Sequence, residues 1–322
     1  MKQSVLAALR QGKQPLSGTA LGKQLGVSRA AVWKCVHELR RQGYVIDSSP
    51  RKGYTLVSSP DLLLPEEIRR VLATRSFGKR IICRDECTST QDIAAELARG
   101  GEPEGLVVIA DTQTRGRGRK GRSWISTPGA GICLSIILRP GLKPSQIAQI
   151  PLVAGVAAAR AIRAVTGLKP DIKWPNDILV GGKKVAGILT EMSCELDHIN
   201  HVILGIGINV NTLKSDLPES IRDIATSLCA ECGHNISRVA LVQRFLNELE
   251  SLYRSYQADG FVSIRQEWKS LSNTIGSQVE ITDGGKRLTG EVLDIDGDGF
   301  LLLKTDAGSI ERIVAGDVVK PS

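Results

Sequence analysis

The chain has 322 residues, enough for two or three domains at about 100–200 residues each, and its 42% hydrophobic content supports a sizeable core. Its formal net charge of +8 comes from 42 Lys and Arg against 34 Asp and Glu. No apolar run approaching the ~20 residues that cross a bilayer stands out, and Met1-Lys2-Gln3-Ser4 leads into an amphipathic pattern without a signal-peptide layout, so neither a membrane protein nor a secreted one is expected.

The charge is segregated. Residues 1–60 hold ten basic and two acidic side chains, so the remaining 262 carry 32 of each sign and are neutral. A basic segment on a neutral body predicts a nucleic-acid-binding module joined to something else. The seven cysteines are scattered and odd in number. That fits reduced thiols in a cytoplasm better than a disulfide framework.

In chain order, Val5, Leu6, Ala8 and Leu9 give a first short helix face, and residues from Thr19 to Leu25 a second helix. Gly26-Val27 makes a tight turn, and Ser28 is a good N-cap for a third helix running to about Arg41. Val32, Val36 and Leu39 share one face of it, and Arg29, Trp33, Lys34 and His37 point elsewhere, with Trp33 expected to pack partly against the core. Two short strands follow, Tyr44 to Asp47 and Gly53 to Val57, around the basic tip Pro50-Arg51-Lys52. This is the pattern of a winged helix-turn-helix over residues 1–60, with the third helix in the major groove. Arg29, Lys34, Arg51 and Lys52 are the candidate DNA contacts.

After a linker near Ser58-Ser59-Pro60-Asp61, a mixed α/β domain spans residues 65–271. It opens with a helix from Pro65 to about Thr74 and a strand from Ile81 to Arg84. Ser89 or Thr90 can cap a helix from Gln91 to Arg99. The strand Leu106 to Asp111 leads to Gln113 and to Gly116-Arg117-Gly118-Arg119-Lys120-Gly121-Arg122-Ser123-Trp124. Glycines let that backbone approach a ligand, and the guanidinium forks suit phosphate and carboxylate oxygens, so the loop reads as an anion clamp. It opens no amphipathic helix, so its G-x-G-x-x-G spacing is not a dinucleotide fingerprint.

A strand from Gly131 to Leu138 and an Ala-rich helix from Ile147 to Thr166 come next. Strands around Lys173-Trp174-Pro175-Asn176-Asp177, at Lys183 to Leu189 and at Val202 to Asn209 complete the sheet. Helices follow over Leu241 to Tyr256 and Phe261 to Leu271. Asp294-x-Asp296-x-Asp298-Gly299 lacks the twelfth-position Glu of a calcium loop, and no metal ligand set is read from spacing. Residues 272–322 read as four short strands with tight glycine turns, a small SH3-like barrel. The fold expected is therefore α+β and multidomain: winged helix-turn-helix, mixed α/β domain, small barrel.

The motifs Thr88-Ser89-Thr90-Gln91, Gln113 to Arg119, Lys173 to Asp177, Lys184-Val185-Ala186-Gly187-Ile188 and Gly205-Ile206-Gly207-Ile208-Asn209-Val210 together resemble the bifunctional biotin protein ligase and biotin operon repressor family over the whole chain. Gln91 stands where many members carry Asn. The resemblance implies a cytoplasmic ligase that uses ATP and Mg²⁺ to turn biotin into biotinyl-5′-AMP. It then transfers biotin to a lysine of the biotin carboxyl carrier protein. It implies a biotin site of Ser89, Thr90, Gln91, Gln113, Arg117, Gly118, Arg119 and Lys184, and an ATP site of Arg119, Arg122, Trp124, Lys173, Asn176 and Asn209. Arg119, Lys184, Asn176 and Asp177 are the implied catalytic residues. It further implies repression of biotin synthesis genes, with the adenylate as corepressor and a homodimer on operator DNA. A ligase without repressor role, a ligand-sensing repressor without catalysis, and a lipoate-type ligase are the alternatives.

Overall fold

Serine caps set the helices of the first module. Ser17 Oγ accepts the Ala20 amide at 3.0 Å and Ser28 Oγ the Ala31 amide at 3.1 Å, satisfying amides that a helix start leaves open. In this computed structural model, residues 1–12, 14–49, 52–195, 198–283 and 285–320 are described, and the chain divides into two units, Met1–Leu62 and Leu63–Ser322. The first unit holds α1 (Lys2–Gln11), α2 (Gly18–Leu25), α3 (Arg29–Arg41) and the antiparallel hairpin β1 (Val45–Ser49) and β2 (Gly53–Ser58). Its core joins Val5, Leu6 and Leu9 to Leu21, Val32, Val36 and Leu39.

Trp33 corrects an expectation. It stands 56% exposed, its ring 5.4 Å from that of His37. One residue past buried Val32, it is rotated about 100° around the helix, away from the core.

The second unit begins with α4 (Pro65–Arg69) and continues through β3 (Ile81–Cys87), α5 (Thr90–Arg99), β4 (Val107–Gln113), the short pair β5 (Gly116–Arg117) and β6 (Ser123–Trp124), and β7 (Gly131–Leu138). After α6 (Ile150–Thr166) come β8 (Asp171–Lys173), β9 (Asp177–Val180), β10 (Lys183–Glu195), β11 (His198–Asn209), α7 (Leu228–Cys232), α8 (Arg238–Asp259) and α9 (Val262–Leu271). The first helix stops at Arg69 rather than near Thr74. The chain instead turns its Arg75, Ser76 and Phe77 amides onto the buried Glu250 carboxylate of α8, at 2.5, 2.7 and 2.8 Å.

Seven strands form one sheet in the order β3-β4-β7-β11-β10-β9-β8, antiparallel except for the β3–β4 pair. One face packs on α6, whose Ala154, Ala157, Ala158 and Ala161 allow close approach, and on α8 behind it. Segment Pro144–Thr166 is long and apolar enough to cross a bilayer, which the sequence reading overlooked, but 67% of its most apolar window is buried inside the protein, as in a core helix. The opposite face is covered at one end by α5, whose Ala94 and Ala98 meet Val108, Ile137 and Ile203.

The remaining strands, β12 (Gln278–Asp283), β13 (Lys286–Ile295), β14 (Leu301–Thr305), β15 (Ile310–Ile313) and β16 (Asp317–Val319), form a five-stranded antiparallel sheet in the order β15-β14-β13-β12-β16. It docks through buried polar ties: Trp174 Nε1 donates to the Gly299 carbonyl at 3.0 Å and Gln149 Nε2 to that of Gly297 at 2.9 Å.

Candidate functional site

Side chains alternate along a strand, so Gly187, Leu189 and Glu191 of β10 share one face of the sheet. Their cross-strand partners on β11 are Gly207, Gly205 and Ile203, which in turn pair with Cys133, Ser135 and Ile137 of β7. The strip Gly187–Gly207–Gly205 has no side chains and forms a floor beside α5. At one end lies the Trp124 indole. A Cβ built on Gly207 would sit 2.2 Å from its Cε2, and one on Gly187 3.3 Å from its Cζ3. At the other end lies Gln91, whose Oε1 would be 2.8 Å from a Cβ on Gly205. Burial pushes the thiol of Cys133, beside this floor, up to about 12, so it stays protonated.

Polar groups collect where α5 meets the floor. Ser89 occupies the N-cap position but makes no cap hydrogen bond, contrary to the capping expected of it. Its Oγ is buried and has no partner among the described residues, and the same holds for Gln91 Oε1. Thr90 does find partners. Its amide donates to Gln113 Oε1 at 2.7 Å, and its hydroxyl lies 3.1 Å from the same oxygen and 2.8 Å from Ser135 Oγ. Unpaired buried polar atoms are rare because each costs about 1–3 kcal/mol, and a cluster of them marks a place built for a ligand.

The glycine-rich loop runs across the other end, and carboxylates hold it at two points. Arg117 pairs with Asp92 at 2.8 Å and lies 3.4 Å from Glu191. Farther on, Lys120, in the left-handed region at φ 55°, pairs with Asp283 at 3.0 Å and lies 3.8 Å from Asp317, to which Arg122 also bonds. Gly118, between the two anchor points, donates its amide to the Arg122 carbonyl at 2.6 Å.

Between these anchors the candidate catalytic side chains converge. Lys184 Nζ lies 2.7 Å from Asp177 Oδ1, an ion pair outside hydrogen-bond alignment, and 5.8 Å from the centre of the Trp124 ring. Arg119 Nη1 reaches Asn176 Oδ1 at 3.4 Å, and Asn176 Nδ2 donates to the Ile188 carbonyl at 2.7 Å. Burial lowers the pKa of Arg119, against the raising effect of Asp317 and Asp177. Burial also lowers that of Lys173, with Asp177 opposing and Lys184 adding to the fall. These cations are half-buried and crowded by one another, an arrangement that an incoming polyanion would relieve.

Not every predicted residue joins this group. The Arg117 cation is already matched by two carboxylates, and Asn209 is buried with its amide committed to the Thr226 carbonyl at 3.1 Å. Sequence reasoning missed Asp92, Glu191, Asp283 and Asp317, which carry no local signal. It also missed the floor, which the alternation Gly205-x-Gly207 does signal. Among the described residues no group of three or more His, Cys, Asp or Glu side chains could hold a metal ion.

In the first unit, Arg29, Trp33, Lys34 and His37 all stand exposed on the outer side of α3, and Lys52 is exposed beside the hairpin. Arg51 lies outside the described residues.

The profile of the Biotin/lipoate A/B protein ligase family matches residues 82–209, that of an HTH domain residues 2–55, and that of the Biotin protein ligase C terminal domain residues 274–320. The bifunctional ligase/repressor BirA of Bacillus spizizenii is 44% identical over 307 residues, 95% of this chain and 94% of that protein. Its namesake in Escherichia coli (strain K12) is 31% identical, over 97% and 95% of the two chains. The solved biotin protein ligase from Aquifex aeolicus in complex with biotin and ATP matches with a TM-score of 0.66 at 30% identity, over 76% of this chain and 100% of that one.

Proposed function

Because the chain belongs to the biotin protein ligase family, and within it to the bifunctional ligase/repressors that carry an N-terminal helix-turn-helix, we propose that it activates biotin with ATP. It then transfers biotin to a lysine of the biotin carboxyl carrier protein. We further propose that it represses biotin synthesis genes from operator DNA. The working division is residues 1–60 for DNA, 65–271 for catalysis and 272–322 for the C-terminal domain.

One observation carries the reading. A glycine floor joins the buried Ser89 Oγ and Gln91 Oε1, which have no partner among the described residues, to a cluster of half-buried cations at Arg119, Lys173 and Lys184. A ligand with a small polar ring, an apolar tail and a carboxylate fits that sequence of environments. The ring meets Ser89, Thr90, Gln91 and Gln113, the tail runs along the floor up to the Trp124 indole, and the carboxylate reaches Lys184 and Arg119.

The reaction brings two anions together. The biotin carboxylate attacks the α-phosphorus of ATP, and pyrophosphate leaves with the electron pair of the broken P–O bond. Arg119 and Lys184 neutralise the carboxylate and the phosphate as they approach, and stabilise the charge that builds on the phosphoryl oxygens. Arg122 and Lys173 hold the β- and γ-phosphates, and Trp124 walls the site from water. In the second step the carrier-protein lysine attacks the anhydride carbonyl and AMP leaves, with Asp177 and Asn176 placed to orient the amine. When bound with the triphosphate, Mg²⁺ would supply further neutralisation of its charge. Asp177 is the carboxylate at the site that would hold it, consistent with an ion bound through one carboxylate and substrate phosphates rather than a protein cage.

For repression, the adenylate is the proposed corepressor: it orders the loop, promotes a homodimer and strengthens operator binding. Arg29, Lys34, Arg51 and Lys52 are the proposed DNA contacts. The test is the intact mass of carrier protein incubated with the enzyme, biotin and ATP, together with operator binding with and without the two ligands. A carrier mass raised by one biotin and a tighter operator complex are expected. An unmodified carrier, or ligand-independent operator affinity, overturns the corresponding half.

A further inference from the structure

Glu191 touches two candidate site residues at once. From β10 it accepts a hydrogen bond from Gln91 Nε2 at 3.0 Å, and both its oxygens lie 3.4 Å from Arg117 Nη2. Arg117 has a closer partner in Asp92, at 2.8 Å, so the shorter contact of Glu191 is the one to Gln91. Gln91 is 4% exposed, and its Oε1 is buried against Gly205 with no partner among the described residues.

The chemistry of the pair then fixes an orientation. An ionised carboxylate only accepts, so the Gln91 end facing Glu191 must be the NH₂, and the carbonyl oxygen must face the glycine floor. Alone, a Gln amide could turn either end to a ligand at little cost. Held by Glu191, it offers only an acceptor.

We propose that Glu191 is a specificity-determining positioning residue. It locks the Gln91 amide so that Oε1 meets an N–H donor of the ligand ring. This rests on the proposed function and sharpens it: the ring must carry an N–H, as the ureido ring of biotin does and the dithiolane ring of lipoate does not. A site that aims an unpaired acceptor at the ligand rejects rings that leave it unpaired more strongly than it favours a fit by shape. The lone pair of Oε1 also adds to the cost of an empty or wrongly filled pocket.

The test is a double-mutant cycle on the full-length protein, reading biotin Kd by calorimetry for wild type, Glu191→Gln, Gln91→Leu and the double variant. Gln91→Leu should weaken biotin about tenfold, and Glu191→Gln several-fold, because the new amide lets Gln91 turn. In the Gln91→Leu background, Glu191→Gln should change Kd less than twofold. Equal losses in both backgrounds would mean that Glu191 acts through Arg117 or the fold, and would overturn the inference while leaving biotin as the substrate. No loss from Glu191→Gln alone would overturn it too. A wild-type protein that does not bind biotin would overturn the proposed function and the inference together. A biotin KM from pyrophosphate exchange that follows the same pattern is the second readout if a variant binds too weakly for calorimetry.

Discussion

Replacing Gly207 by alanine exchanges one hydrogen for a methyl group, and the structure says where the new carbon goes. It would sit 2.2 Å from Trp124 Cε2 and 2.6 Å from both Cζ2 and Nε1. Non-bonded carbons rest about 3.5–4.0 Å apart, so the indole must move by more than about 1 Å. Overpacking of this kind costs about 1–3 kcal/mol. Taken from the site alone, that lowers kcat/KM for biotin-dependent adenylation by about 5- to 150-fold. The assay is biotin-dependent ATP–pyrophosphate exchange, with Tm measured alongside. Gly141→Ala, where a Cβ meets nothing within 4 Å, is the neutral control. In a Trp124→Ala background the same Gly207→Ala change should cost little more, because the atoms it strikes are gone. Wild-type exchange in Gly207→Ala, or an undiminished second loss in the Trp124→Ala background, would refute the floor-and-wall account of the site.

Three other outcomes are expected. Arg119→Gly removes a fork that faces Asn176 and the candidate phosphate seat, so the adenylate should dissociate about 10- to 150-fold faster, read by stopped-flow fluorescence. Unchanged release would remove Arg119 from that role. Arg51→Ala with Lys52→Ala should weaken operator binding and reduce the slope of log K against log salt by about 2, with carrier biotinylation intact. An equal loss of ligation would show that the change acts outside the DNA interface. Burial alone would raise the Glu250 carboxyl, but the amides of Phe77, Ser76 and Arg75 outweigh it and hold the group below its usual value of 4.5. A depressed carboxyl contributes stability above its unfolded pKa and loses it as pH falls through the lower folded one. Wild-type Tm should therefore drop more steeply below pH 4.5 than that of Glu250→Gln, which at neutral pH should be less stable by about 1–3 kcal/mol. Parallel pH profiles would contradict this.

Local signals reached far into this chain. Ser28 caps its helix through the bond that the sequence pattern places, and the Gly-Arg-Gly-Arg loop and the Trp-Pro-Asn-Asp turn do meet at Asp177 and Lys184 through Arg119 and Asn176. Where reading failed, the deciding contact came from far along the chain. The first helix of the second unit ends early because Glu250, some 175 residues away, claims the amides that follow it. Ser89 sits at the N-cap but does not cap, and local propensity carries no signal that its hydroxyl is buried without a partner among the described residues. The carboxylates that pin the loop sit on α5, β10 and the C-terminal sheet, and an Asp at 92 or 317 looks like any solvated surface residue until the strands are paired. Gly205 and Gly207 were legible and were passed over: glycines two apart in an apolar strand leave one face bare.

The most direct test of the central claim is biotin-dependent ATP–pyrophosphate exchange by the purified protein, with lipoate as the control carboxylate. Exchange with biotin and none with lipoate is the predicted result. Exchange with lipoate, or with neither, would contradict it.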